Sequence, residues 1–309
     1  MLRSLSPVAP AALLAFLVAC AGQAPAEETG PAAPAPAGME LAEGEAVVDS
    51  TRAAFRRIMT FARDSALAEE EDFGMIVQAV GRQLMGAPYV AGMLDSGSDE
   101  TLIADLTTFD CVLYVENVLA LARGIATGDT TFADYVANVE SLRYRHGEMA
   151  GYCSRLHYFT EWIQDNERRG VVTDVTRDAG GVPYRKTINF MGTHRGSYPR
   201  MESDDTFECI LDMEAGLRGM ELYYIPKAEI AEHYDALRPG DVIATATNID
   251  GLDVTHTGFV YRTADGRTAF LNASLSGEVL IAPDLARYSQ GVRAQTGIIV
   301  ARPVDPRLQ

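Results

Sequence analysis

Asp110-Cys111-Val112-Leu113-Tyr114-Val115-Glu116-Asn117-Val118-Leu119-Ala120-Leu121-Ala122-Arg123-Gly124-Ile125-Ala126 is the stretch on which the fold turns. Val112, Val115, Leu119, Ala122 and Ile125 recur at three- and four-residue intervals, the period of a helix with one apolar face. Asp110 stands at the N-cap position, where a carboxylate accepts from the open N–H groups of the first turn. The spacing predicts a helix from Cys111 to about Ala126 with a cysteine at its start. Unpaired N–H groups and the helix dipole favour a thiolate there. The plainer alternative is a buried structural cysteine, since apolar cores accept the residue readily.

Upstream, two helical segments are predicted near 45–66 and 73–85. The second places Met75, Ile76, Ala79, Val80 and Leu84 on one face and stops at Gly86. Pro88 to Gly92 and Thr101 to Leu106 read as short extended pieces. Downstream, Phe132 to Leu142, Ser154 to Arg168 and Ser203 to Gly219 read as helices, and Val171 to Thr176 and Tyr184 to Phe190 as extended. After Tyr234 the pattern changes to strands at Val242–Ala246, Thr255–Arg262, Thr268–Ala273, Val279–Ile281 and Gly297–Arg302, with a turn at Asp265-Gly266. Helices first and an antiparallel sheet last predict an α+β fold. The cysteine helix is expected to pack across the sheet, with a mainly helical insertion at about 131–234.

The N-terminus reads as a sorting segment. Arg3 precedes an apolar run from Val8 to Val18, too short for a permanent span, and Leu17-Val18-Ala19-Cys20 closes it. That tetrapeptide resembles the bacterial lipobox, which makes Cys20 the expected lipidation site. Residues 1–20 are then a lipoprotein signal peptide, 21–40 an Ala/Pro-rich flexible tether, and 41–309 the folded domain. Because Ala21 is not aspartate, the expected address is the periplasmic face of the outer membrane, held by a lipid anchor. Asp plus Glu exceed Lys plus Arg by 43 to 26, which argues against nucleic acid as a partner. A bridge between Cys153 and Cys209, and the oligomeric state, are left open by the sequence.

Four ordered pieces carry a resemblance. Gly86-Ala87-Pro88-Tyr89-Val90-Ala91-Gly92, Phe109-Asp110-Cys111, Leu237-Arg238-Pro239-Gly240-Asp241-Val242 and Thr255-His256-Thr257-Gly258-Phe259-Val260 resemble, in that order, the NlpC/P60 superfamily of cell-wall peptidases. Within it, residues 82–302 resemble the N-acetylmuramoyl-L-alanine amidase-like family, formerly a domain of unknown function. That closer likeness rests on Val115-Glu116-Asn117, Arg143-Tyr144-Arg145, Ser154-Arg155-Leu156-His157-Tyr158-Phe159, Ile188-Asn189-Phe190-Met191, Tyr224-Ile225-Pro226-Lys227 and Gly251-Leu252-Asp253.

The resemblance implies a papain-like core with Cys111 as nucleophile, His256 as general base and Asn272 as the residue that orients the imidazole. Asn272 departs from the histidine common at that place, and Val112 and Leu113 replace threonines. Tyr89 matches the superfamily tyrosine upstream of the nucleophile, with a half-buried strand tyrosine as the equal alternative. Asp110 is a candidate substrate contact beside its capping role, and His194, in the Gly192–Gly196 loop, a candidate for the cleft. His157 reads as a structural core histidine. No cofactor or metal is implied. The implied substrate is peptidoglycan or muropeptides, cut at the lactyl–L-alanine amide or at the γ-D-glutamyl bond; a non-catalytic peptidoglycan-binding lipoprotein is the competing class. One geometric condition follows. His256 and Asn272 share a face of their hairpin only if the loop between the strands has an odd residue count or a bulge intervenes, whereas a two-residue Asp265-Gly266 loop pairs Asn272 with Phe259 on the opposite face.

Overall fold

A computed structural model describes residues 43–95, 97 and 99–309; Cys20, the sorting segment and the tether lie outside the described residues. Helices α1 (Glu43–Asp64), α2 (Phe73–Arg82), α3 (Cys111–Thr127) and α4 (Phe132–Arg143) come first. Asp110 starts α3 as expected, its carboxylate accepting from the Leu113 N–H at 2.8 Å. Gly128 ends it in the left-handed conformation at φ 84°. Thr131 and Asp134 form a reciprocal capping box at the head of α4.

The middle of the chain departs most from expectation. Helix α5 begins at Phe159 (Phe159–Arg168), not Ser154. Residues 154–158 are drawn away by long-range ties: the Leu156 N–H donates to the Arg143 carbonyl, and the Arg155 guanidinium binds the Leu94 carbonyl and Asp95. Strands β1 (Val172–Asp174) and β2 (Val182–Pro183) follow. Tyr184 to Phe190, expected extended, is irregular and passes into a four-residue helix, α6 (Phe190–Thr193), because the Asn189 and Phe190 N–H groups both turn onto the Gly251 carbonyl at 3.0 Å. Helix α7 (Asp204–Gly216) and strand β3 (Tyr223–Pro226) close this segment. Residues 131–234 are therefore helical for most of their length but also supply three strands to the sheet.

The remaining elements are β4 (Val242–Thr247), β5 (Val254–Arg262), β6 (Thr268–Ala273), β7 (Val279–Ala282), α8 (Leu285–Gly291) and β8 (Gln295–Pro303). All ladders are antiparallel, in the order β2-β3-β8-β4-β5-β6-β7, with β1 also on β8. The α+β class expected from the sequence is the class observed. One sheet face presents Val242, Ala244, Phe259, Leu271 and Ile299 to α2 and α3; the other presents Ile243, Val260, Phe270 and Val300 to Leu285 and Ala286 of α8. β4 and β6 are thus buried at every position, on both faces of the sheet. Asp241 locks the Pro-Gly-Asp turn in place, accepting the Arg238 N–H at 2.8 Å and pairing with both arms of Arg302.

Candidate active site

The β5–β6 hairpin builds the site. Arg262 pairs with Thr268, leaving five loop residues, and Phe259 pairs with Leu271. The looser, odd-numbered turn therefore sets the register, and Asn272 lies across from Gly258. Two residues back on the same face, His256 leans diagonally onto Asn272, with Nε2 at 2.9 Å from Oδ1. Gly258 makes room for this. A Cβ there would stand 2.6 Å from the Leu271 carbonyl oxygen and 2.8 Å from Asn272 Cβ. Beyond His256 the ladder shifts, so that Thr255 and His256 together oppose Thr245, whose hydroxyl reaches the His256 carbonyl at 3.2 Å.

These contacts fix the imidazole's protons. Asn272 Nδ2 donates to the Phe270 carbonyl at 3.2 Å, which turns Oδ1 toward the ring. An amide oxygen only accepts, so neutral His256 carries its hydrogen on Nε2 and keeps a lone pair on Nδ1. Nδ1 is buried and has no hydrogen-bond partner among the described residues. Burial pushes the His256 pKa down to about 4, opposed by the Asn272 bond. The ring is neutral at pH 7 and available as a base.

Cys111 opens α3 and is 3% exposed. Its carbonyl accepts the Thr257 hydroxyl at 2.8 Å, so the helix start is tied to the strand residue next to His256. Cys153 and Cys209 are joined in a disulfide, and attack by Cys111 requires its free thiol. Thr257 faces α3, whereas the His256 ring lies on the other side of β5, 5.9 Å from Phe270 and 5.8 Å from Tyr288 between ring centroids. Tyr89 joins the two sides. It bridges Phe109 in parallel, its N–H donates to the Gly277 carbonyl at 2.8 Å, and its hydroxyl is held well above the ordinary phenol range by burial, then by Asp110 and Tyr288. Asp110 is buried, and desolvation raises its pKa to about 6 against the Leu113 N–H bond.

Tyr89 and Asp110 thus lie by Cys111 at the head of α3, while Asn272 lies against His256 on the β5–β6 hairpin; the Cys111 carbonyl meets Thr257, the residue next to His256. His194 does not join them: it stacks on Phe190 at 3.9 Å, and its Nδ1 bonds the Phe190 carbonyl at 2.8 Å, closing its own loop. His157 bonds the Tyr152 carbonyl at 2.8 Å. No group of three metal-ligating side chains occurs among the described residues. Sequence reasoning missed Tyr288 because it missed α8, although Asp284 is a regular N-cap that accepts from the Arg287 N–H at 2.7 Å. It also missed the buried ion pair behind Cys111, where Glu116 accepts from Arg143 Nε at 2.7 Å.

Residues 79–298 match the N-acetylmuramoyl-L-alanine amidase-like family. A solved structure described as an N-acetylmuramoyl-L-alanine amidase from Bacteroides uniformis is 30% identical, with a TM-score of 0.71 over 75% of this chain and 99% of that one. A Bacteroides fragilis protein provisionally named a xylanase is 33% identical, with a TM-score of 0.65 over 72% and 99%. A Legionella pneumophila protein at 19% identity and TM-score 0.64 shares the fold over 85% and 97%. Among curated proteins no match was found.

Proposed function

The chain belongs to the N-acetylmuramoyl-L-alanine amidase-like family, and from that premise we propose that it hydrolyses an amide of peptidoglycan through the Cys111 thiol, on a papain-like core of the NlpC/P60 type. The observation that carries the reading is the His256–Asn272 pair, which presents an unpartnered, neutral Nδ1 beside the strand residue that holds the start of α3. Nδ1 takes the proton from reduced Cys111 as sulfur bonds the carbonyl carbon and the carbonyl electron pair moves onto oxygen. The Cys111 N–H at the helix start stabilises that oxyanion. Collapse expels the amine, which takes the proton back from the imidazolium and leaves a thioester. Water then attacks the thioester, giving its proton to Nδ1, and frees the acid and the thiol. Asn272 holds the ring's tautomer throughout.

The family name points to the lactyl–L-alanine amide; the γ-D-glutamyl bond is the alternative cut. A glycosidase reading, raised by the Bacteroides fragilis neighbour's name, needs two carboxylates flanking the scissile bond, whereas the pair on the β5–β6 hairpin is an imidazole and an amide. Mass spectrometry of defined muropeptides, digested under reducing conditions, tests the assignment. Release of intact stem peptide beginning with L-alanine supports it, fragments beginning with the third residue support the γ-D-glutamyl cut, and activity equal in Cys111→Ala overturns both. Cys20 is proposed as the lipid anchor at the outer membrane's periplasmic face. Labelled palmitate should enter the full-length protein and not Cys20→Ala; equal labelling rejects the anchor.

A further inference from the structure

On the sheet face turned away from α3, the His256 imidazole lies against the Asn272 amide, the Phe270 ring and the Tyr288 ring of α8. The rings form one cluster, with centroids 5.9 Å apart for His256 and Phe270, 5.8 Å for His256 and Tyr288, and 4.9 Å for Phe270 and Tyr288. His256 is 2% exposed and Phe270 is fully buried, whereas Tyr288 is half-buried, so Tyr288 is the ring of the cluster that meets solvent. Its place is fixed by its helix. Asp284 caps α8 and also accepts from the Tyr234 hydroxyl at 3.1 Å; that hydroxyl in turn accepts the Ala286 N–H at 2.8 Å, and Leu285 and Ala286 are buried against the sheet. Burial holds the Tyr288 hydroxyl well above the ordinary phenol range, so the ring is uncharged wherever His256 titrates. It acts on the imidazole by excluding water and not by charge. Burial, then the Asn272 amide, governs the imidazole, while Asp110, on the α3 side, acts on Tyr89. A buried imidazole with one hydrogen bond and no counter-charge takes up a proton at a cost set by how well water is kept from it.

We propose that Tyr288 is a positioning residue of the site, its ring screening the His256 imidazole from water and so preserving Nδ1 as a base. The task of that base rests on the amidase reading, but the screening is read without turnover. Histidine labelled with carbon-13 at Cε1 is followed by NMR against pH in full-length Cys111→Ala, which removes the thiol's own titration. The His256 signal is identified among the five histidines by its loss in His256→Gln. It should titrate near 4. Tyr288→Phe keeps the ring and should leave the signal there, whereas Tyr288→Ala should raise its midpoint by about 1–2 pH units toward the ordinary imidazole value. Tyr288→Leu, which keeps α8 packed should alanine unfold it, is expected to raise the midpoint by about 0.5–1 unit. A midpoint that stays near 4 in every folded variant lacking the ring overturns the screen and leaves Tyr288 as packing for α8. An equal rise in Tyr288→Phe overturns it as well, because the hydroxyl and not the ring would then hold the imidazole. Cleavage by the protein with Cys111 present is scored separately: a midpoint that moves in a protein without cleavage removes the amidase and keeps the screen, while cleavage with an unmoved midpoint does the reverse.

Discussion

In the β5–β6 hairpin, five loop residues set the register and every side chain then follows by alternation, whereas in residues 131–234 the path of the chain is set by ties to distant segments. His256 meets Asn272 because the ladder pairs Phe259 with Leu271. The turn at Tyr152–Ser154 forms because Arg155 reaches Asp95, Tyr144 reaches Glu100 at 2.8 Å, and Cys153 is bonded to Cys209. Local rules place His256 against Asn272; long-range ties place the segment from 131 to 234. Disturbing the hairpin should therefore abolish chemistry, and disturbing that segment should cost stability first.

The largest effect is expected from the reacting groups. Cys111→Ala and His256→Ala should each remove nearly all muropeptide hydrolysis, and the double variant should be little worse, because residues acting as a unit lose function non-additively. Alkylation rates with iodoacetamide sharpen this. If His256 takes the thiol's proton, His256→Ala should slow labelling of reduced Cys111 at pH 7; an unchanged rate separates the imidazole from the thiol. Gly258→Ala should come next and should strike both stability and activity. Its methyl meets a backbone carbonyl at 2.6 Å, so β5 and β6 must part, at about 1–3 kcal/mol. A variant with wild-type melting temperature and kcat/KM would show that Gly258 is not what lets His256 reach Asn272.

The same contrast explains what the sequence made legible. The α3 helix, its Asp110 cap and the hairpin strands all obey a period or a cap that a single stretch of residues displays. The register condition on His256 and Asn272 was open only because loop length, not side-chain type, decides it. Helix α8 was hidden by its length, seven residues with one apolar face turned to Phe270, and Tyr288 was hidden with it. Arg143, expected within a motif, gave no sign that its partner would be Glu116 across two helices, because burial of both is a tertiary fact. His194 looked like a cleft residue because it sits between glycines, and the carbonyl of Phe190 takes its ring nitrogen instead.

Asn272→Ala is expected to cost about ten- to a hundredfold in kcat/KM, since a loosely held imidazole still reaches the thiol part of the time. The pH profile sharpens the point. Burial holds His256 at about 4, so the acid limb of kcat/KM should fall near pH 4 and not near 6.5. Asn272→Asp should move that limb toward neutrality, because a carboxylate favours the charged ring. For stability the signs oppose. Unfolded His256 takes a proton below about 6.5 and the folded ring refuses it until about 4, so this stabilisation is present above about 6.5 and lost on acidification through that window. Asp110, raised to about 6, contributes in the other direction: its stabilisation is present below about 3.8 and lost as pH rises through 6. A melting-temperature series from pH 4 to 7 in the wild type, Asp110→Asn and His256→Gln separates the two; parallel curves would mean that neither group is buried in solution.

The smallest effect on catalysis is expected at the Cys153–Cys209 bridge, which joins the turn before Arg155 to α7 across a separation of 56 residues. A loop of that length loses enough unfolded-state entropy on closure to stabilise the fold by about 2–4 kcal/mol. The Cys153→Ser/Cys209→Ser variant should therefore unfold at lower denaturant while keeping kcat/KM close to wild type. The hairpin that orients His256 makes no contact with either cysteine through the bonds that fix Asn272. Urea titration and muropeptide kinetics on the same preparation decide it. The reverse result, unchanged unfolding with a large loss of kcat/KM, would mean that the bridge shapes the substrate-facing wall, and that the wall and the hairpin are coupled in catalysis.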